Sequence, residues 1–425
     1  MGESTLYDVA IIGAGPAGCS AAYSAASTGL LVTFIEEHPR VGEPVHCGEC
    51  FSDVAVKRMG LTLPEEVIAA RVKGIRVLFP DKNDIIWREP GYVLDKNLFE
   101  QYLAVRAQGA GAMLKTGTRV MGMKRENGIW TLTTNKPDDP AIRARAVIDA
   151  SGYEALSTRL TQLNTKKFDM VSGAQYLMAD VPNDGFIDFY LWPRLAPHGY
   201  LWVIPKREGA ANVGLVTNDS KNAQKFLKQF VLELGLEKNK ILRPFGGMIP
   251  SSGPMPRIFG DGLLLAGDAA GFTSPMFEGG TQLALKSGQL AAQTLARAKS
   301  GVPKPEAADI EVAVEEGKTT YRAGFAPTPS GDPFSAHALS EYEVACRAEF
   351  PPYEKLVAGK HKFYSFSDAE FSTIGKMLPH ELADINPVKK IAIAINALIH
   401  FGPRALTVRD ALDTFSYSVG EKYGW

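Results

Sequence analysis

Between Leu6 and Glu37 the chain reads LYDVAIIGAGPAGCSAAYSAASTGLLVTFIEE, and no other stretch restricts its fold as strongly. Residues 9–12 are an apolar run ending in glycine, residues 17–27 are small and helix-forming, and residues 31–35 are a second apolar run. The order is strand, tight turn, helix, strand. Gly13, Gly15 and Gly18 carry the G-x-G-x-x-G spacing. The first serves the turn, the second lets a pyrophosphate approach the backbone, and the third lets helix and strand pack closely. The helix N-terminus around Ala17 offers free N–H groups and a positive dipole end to phosphates. Glu36, with Glu37 beside it, stands at the end of the second strand, where a carboxylate accepts hydrogen bonds from ribose hydroxyls. This is a dinucleotide site in an α/β fold.

The chain is long enough for a large core and two or three domains: 425 residues, 45% hydrophobic and 22% charged. Lys plus Arg is 46 against 47 for Asp plus Glu, so no basic field exists to hold a nucleic-acid backbone, and nucleic acid is not an expected partner. Four cysteines are too few for a secreted disulfide scaffold, and no charged-then-apolar leader opens the sequence; a cytoplasmic location is expected. No apolar run is read as approaching the roughly 20 residues that cross a bilayer, which leaves peripheral contact as the membrane option.

Residues 262–293, GLLLAGDAAGFTSPMFEGGTQLALKSGQLAAQ, begin as an apolar strand, reach Gly267 and Asp268 and continue into a small-residue helix. The segment resembles the second flavin-contacting motif of FAD oxidoreductases built like the aromatic hydroxylases. That resemblance implies that Asp268 binds the ribityl chain and that the following helix aims its N-terminus at the flavin pyrimidine ring, where a dipole stabilises the anionic reduced flavin. The plainer alternative for Asp268 is an N-cap after a strand. VIDASG at 147–152, another strand ending in small residues, fits a return of the chain to the same nucleotide domain.

The order of these elements, with PVHCGE at 44–49, GYVLDKNLFE at 91–100, GAQYLM at 173–178 and APHGYLWVIPK at 196–206, resembles the geranylgeranyl reductase family. The likeness is strong over about residues 5–300 and weak beyond. Members of that family are FAD enzymes that saturate carbon–carbon double bonds in prenyl chains. The resemblance implies FAD as cofactor, an isoprenoid lipid as substrate, and ferredoxin or NADPH as electron donor. It adds Cys47, Gly48 and Lys96 to the cofactor contacts, with Gly279 and Gly280 from the glycine cluster after Pro275. YLWVIP at 200–205 is similar to the family's Y-x-W-x-F-P motif, with Ile204 in place of Phe. Lys96 stands where many relatives carry Arg, while Glu278 and Cys50 stand where Gly is usual. The implied plan is a discontinuous Rossmann-type FAD-binding domain (about 1–70, 95–160 and 245–300), an antiparallel-sheet substrate domain (71–94 and 165–244) and a helical C-terminal region (301–425).

An isolated double bond accepts hydride poorly unless a proton reaches its other carbon at nearly the same time, so the site must be dry and hold an acid. Tyr200, Trp202 and Ile204 alternate along one strand and share a face, which suits the wall of an isoprenoid tunnel; ordinary sheet core is the alternative. Tyr176 and Tyr190 carry the same two readings. Tyr200, Trp202 and Cys47 are the candidate catalytic residues. Cys47 either donates the proton, positions the donor, or is an inert buried thiol. Its neighbour Cys50 is read as packing, with a redox pair as a minor alternative. Zinc is disfavoured, because Cys19 lies in the phosphate-binding helix and Cys346 has no paired ligand, so no metal is expected.

SGVPKPEAAD at 300–309 reads as a linker, and RAGFAPTPSGDPFSAH at 322–337 as a loop. ALSEYEVACRAEF then returns to helix. VKKIAIAINALIHFGPRAL, near the end, is expected as a core helix, with a lipid-surface helix as the alternative. The rival enzyme readings are an aromatic hydroxylase or halogenase; a third reading is an electron carrier to a membrane quinone.

Overall fold

The computed structural model describes residues 5–301, 313–315, 318–320 and 331–418. Its nucleotide-binding layer is a sheet with strands in the order Phe259–Gly260, Leu263–Leu265, Ala141–Asp149, Leu6–Ile12, Val32–Ile35 and Met113–Lys115. The last five of these run parallel. Val9, Ala10, Ile11, Val147 and Ile148 are wholly buried. A parallel sheet is covered on both faces, which is why these strands are continuously apolar rather than alternating. Strands Val120–Glu126 and Ile129–Thr134 extend the sheet as an antiparallel meander.

Helix Pro16–Ser27 packs side by side with helix Thr281–Ser300. A Cβ on Gly288 would lie 2.1 Å from the Ala17 carbonyl oxygen, and the Ser20 hydroxyl donates to Leu285 O at 2.6 Å. The small residues in both helices therefore set a close approach that brings their two N-termini to one end of the sheet.

The second layer is a seven-stranded sheet in the order Ile241–Pro250, Met170–Met178, Ala211–Thr217, Tyr200–Pro205, Ile187–Tyr190, Ile75–Leu78, Asp84–Trp87, antiparallel except for the pair of Ile187–Tyr190 with Ile75–Leu78. Helix Ala223–Glu233 covers one face. C-terminal helices, among them Tyr353–Phe363, Asp368–Met377 and Ala405–Ser418, cover the other.

Several local expectations change. The expected substrate sheet does not take in all of residues 71–94: the chain breaks at Gly74, whose φ of +151° no L side chain adopts easily and whose Cβ would meet Trp87 O at 2.1 Å. The strands on either side of it, Ile68–Val72 and Ile75–Leu78, join different sheets. Asp268 is not followed directly by a long helix; a 3-10 turn, Gly267–Ala270, and a loop through Gly280 precede Thr281–Ser300. ALSEYEVACRAEF is helical as Ala336–Leu339 and Glu341–Glu349. The linker beyond Gly301 and the loop residues 322–330 lie outside the described residues.

The core-helix expectation for VKKIAIAINALIHFGPRAL fails. Helix Pro387–Phe401 buries Ala397, while Val388, Ile391, Ile395, Leu398 and Ile399 are 52–74% exposed. The segment Pro387–Thr414 is also long and apolar enough to cross a membrane by length and composition, contrary to the expectation that no run approaches that limit. Periodicity shows which residues share a helix face but not whether another element covers it.

Candidate cofactor and substrate site

Three glycines shape the opening turn in different ways. Gly13 has a φ of +97°, and a Cβ there would meet Ala150 O at 2.3 Å; a Cβ on Gly18 would meet Gly13 O at 1.9 Å. A Cβ on Gly15 would meet no atom of the described residues within 4 Å, so its backbone is open to a ligand's approach. Gly15 caps helix Pro16–Ser27 without a side-chain hydrogen bond, which leaves the first-turn N–H groups available to an anion. Glu36 Oε2 accepts from Ala14 N at 3.1 Å and Oε1 from His38 N at 3.0 Å, so this carboxylate is held at the turn. Glu37 points to the rim and pairs with Arg119 at 3.2 Å.

The second glycine segment meets the first directly. Gly267, at φ +60°, would place a Cβ 2.9 Å from Ala17 Cβ, and one on Gly280 would lie 3.5 Å from Asp268 Oδ1. Gly279 is open. Asp268 is half-buried, and burial pushes its carboxyl up to about 6 against the opposing charge of Lys96. Burial, the largest single influence, pulls the Lys96 ammonium down, but the Glu100 carboxylate 3.0 Å away together with Cys47 and Glu49 outweighs it, and the net shift is upward. Two side-chain oxygens of the intervening loop, Thr273 Oγ1 and Ser274 Oγ, are buried without a partner among the described residues. Buried polar atoms are ordinarily satisfied, so these orphans fit a bound polar group.

The PVHCGE loop lies between the two sheets. Its Glu49 is buried at φ +73° and accepts from Lys96 N (2.9 Å) and Asn212 Nδ2 (2.9 Å), with Lys206 Nζ 3.0 Å away. This clasp ties the loop to a helix of one layer and to strands of the other. Cys47 Sγ accepts from Glu49 N at 3.2 Å, and Cys47 O accepts from Gln175 Nε2 at 3.1 Å. A Cβ on Gly48 would sit 3.2 Å from Ile204 Cδ1. Cys47 and Cys50 are both free thiols, and burial pushes that of Cys50 well up. On the outer side of the loop a cleft of about 760 Å³ opens among His38, Arg40, Asn97, Lys206 and Arg243.

Tyr200, Trp202 and Ile204 do share a face, and all are buried. The Tyr200 hydroxyl donates to Phe277 O at 2.6 Å, and Trp202 Nε1 donates to Gln175 Oε1 at 3.1 Å. Phe189 and Phe277 pack against the Tyr200 ring at centroid distances of 5.1 and 5.4 Å. Tyr176 and Tyr190 fall on the opposite face, over helix Ala223–Glu233, because the register sets Tyr176 beside Val213 and Tyr190 beside Leu201.

Glu278 is buried at φ +51° beside Ser251 Oγ (3.4 Å) and Lys360 Nζ (3.5 Å), and its Oε2 has no partner among the described residues. Sequence reasoning singled out neither Glu49 nor Gln175, although both lie inside quoted motifs. Lys360 carries no local signal at all.

The geranylgeranyl reductase catalytic domain family matches residues 169–249, and the FAD dependent oxidoreductase family matches residues 8–158. The digeranylgeranylglycerophospholipid reductase of Methanocaldococcus jannaschii is 34% identical over 307 residues, covering 69% of this chain and 78% of the relative. The crystal structure of a geranylgeranyl bacteriochlorophyll reductase-like protein from Thermoplasma acidophilum superposes with a TM-score of 0.80 at 28% identity, covering 97% of this chain and 100% of the other. A flavin-dependent brominase superposes with a TM-score of 0.66 at 17% identity over 97% of this chain and 99% of its own, a likeness of fold alone.

Proposed function

The chain belongs to the geranylgeranyl reductase family, and we propose that it reduces the geranylgeranyl chains of a digeranylgeranyl glycerophospholipid. It is an FAD-dependent oxidoreductase that saturates carbon–carbon double bonds of isoprenoid chains. The residues present fit FAD: open backbone at Gly15 and Gly279, two uncapped helix N-termini, and orphaned hydroxyls at Thr273 and Ser274. Gly13, Gly15, Ala17, Gly18 and Glu36 would hold its adenosine and pyrophosphate end, and Lys96, Gly267, Asp268, Gly279 and Gly280 its flavin end, with Cys47 and Gly48 beside it and Glu37 on the rim. When bound and reduced, this group supplies hydride.

The observation that carries the reading is the abutment of that cradle on an apolar aromatic wall. Tyr200 and Trp202 spend their polar hydrogens on Phe277 O and Gln175, so they act as dry surface and as scaffolding for the 276–280 loop rather than as proton donors. Water exclusion suits a reaction in which a poorly polarised bond takes up hydride. Cys47 shapes the loop beside this wall.

The exposed face of helix Pro387–Phe401 gives the lipid a place to enter. A 3-10 turn, Gly402–Arg404, interrupts the apolar segment, and Ala397, Ala405, Val408 and Ala411 dock it on the protein. The helix alone is about 22 Å long. A docked, one-sided helix of that length lies in a membrane interface rather than across it, with Lys389 and Lys390 near the headgroups. A ferredoxin or NADPH supplies the electrons.

The test is anaerobic. The dithionite-reduced protein is mixed with digeranylgeranyl lipid, and mass spectrometry reads a gain of about 2 Da per double bond. Unchanged lipid, together with oxygen consumption on aromatic substrates, would reverse the assignment.

A further inference from the structure

We propose that Glu278 is the acid that protonates the alkene, and that Ser251 and Lys360 position and recharge it; this rests on the reductase reading above. Glu278 lies in the turn that joins the two halves of the site. Before it, Phe277 O takes the Tyr200 hydroxyl; after it, Gly279 and Gly280 lead past Asp268 into helix Thr281–Ser300. Its φ of +51° belongs to glycine's range, and glycine is the residue that the family pattern sets here. A carboxylate thus occupies a strained position inside a site that must otherwise be dry.

Its surroundings favour the neutral acid. Among the described residues Oε2 is buried with no partner, and Oε1 has only long contacts, 3.4 Å to Ser251 Oγ and 3.5 Å to Lys360 Nζ. Burial pushes the carboxyl up to about 7, while Lys360 opposes that shift. The titratable groups facing it are Lys360 from helix Tyr353–Phe363, Tyr364 just beyond that helix, and Tyr200 from its strand; Cys47 and Cys50 act electrostatically on Tyr200. Both tyrosine hydroxyls donate to backbone carbonyls, Tyr200 to Phe277 and Tyr364 to Met276, so neither neutralises the carboxylate. Glu278 thus stands beside the aromatic wall at Tyr200, while half-buried Asp268 stands beside Gly280.

The balance is simple. With FAD bound and reduced, hydride and its electron pair would reach one alkene carbon; the π pair would shift to the other carbon and take the proton as the Glu278 Oε2–H bond breaks. The carboxylate left behind is countered by the Lys360 ammonium. A solvent proton returns through the Lys360–Ser251 hydrogen bond.

The experiment compares wild type, Glu278→Gln, Glu278→Gly and Lys360→Met, each loaded with FAD. Anaerobic single-turnover reduction of lipid should fall by at least about 100-fold in E278Q and E278G. E278G suits the backbone and keeps the comparison valid if E278Q fails to fold. Infrared difference spectra across pH 5–9 should show a protonated carboxyl band that titrates near neutrality, is absent from E278Q and moves to higher pH in K360M. Rates within threefold of wild type in E278G, or a wild-type spectrum with no titrating carboxyl, would overturn the proposal. Failure of the wild type to reduce any prenyl chain would instead overturn the reductase reading, while the infrared titration would still report on Glu278.

Discussion

Replacing Asp268 by Asn should make the cofactor-free protein more stable, and only above a definite pH. The carboxyl rises from an ordinary 3.8 to about 6 on folding, because burial disfavours its charge more than Lys96 restores it. A raised folded value means that the native state binds the proton more tightly than the unfolded chain does. Its contribution is full below pH 3.8, declines as pH rises through about 6, and is lost above that. At about 1.4 kcal/mol per pH unit, a shift of roughly two units amounts to about 3 kcal/mol, an upper value for a half-buried group. Asn carries no charge, so D268N should match wild type near pH 4 and exceed it by up to about 3 kcal/mol at pH 8. Urea unfolding of the FAD-free proteins, from pH 4 to 8, reads the difference directly. FAD affinity should move the other way, because the ribityl hydroxyls lose a charged acceptor. A stability gain that is equal at pH 4 and pH 8, or no gain at all, would refute the argument that Asp268 is held charged against its surroundings for the cofactor.

Glu49→Ala removes the acceptor shared by Lys96 N, Asn212 and Lys206; broken buried pairs cost about 3–5 kcal/mol, and urea melts should show a loss of that size with faster FAD release. Gly15→Ala and Gly18→Ala should separate binding from folding. The first enters open space and should fold normally but lose FAD retained through gel filtration, whereas the second drives a Cβ to 1.9 Å from Gly13 O and should lower soluble yield as well. Ile391→Asp with Ile395→Asp should abolish co-sedimentation with anionic vesicles at unchanged melting temperature, since both side chains are over half exposed. A fall in melting temperature would show instead that the helix face is covered by protein.

The opening βαβ unit was legible because its contacts are local: three glycines, a helix N-terminus and Glu36 meet within some 25 residues, so spacing alone implies geometry. Alternation likewise showed that Tyr200, Trp202 and Ile204 share a face. Which face looks onto the site was settled by the register of neighbouring strands, and it sent Tyr176 and Tyr190 to the other side. The same limit applies to helix Pro387–Phe401, whose apolar stripe is identical in sequence whether a core or a bilayer covers it. Gln175 reaches Cys47 across 128 positions and Lys360 reaches Glu278 across 82, and no local pattern encodes such pairs. Short-range backbone chemistry therefore determined the opening glycine turn from the sequence. The dry wall, the clasp at Glu49 and the buried acid arise only when distant strands and helices close over it, because burial is a property of what surrounds a residue and not of the residue itself.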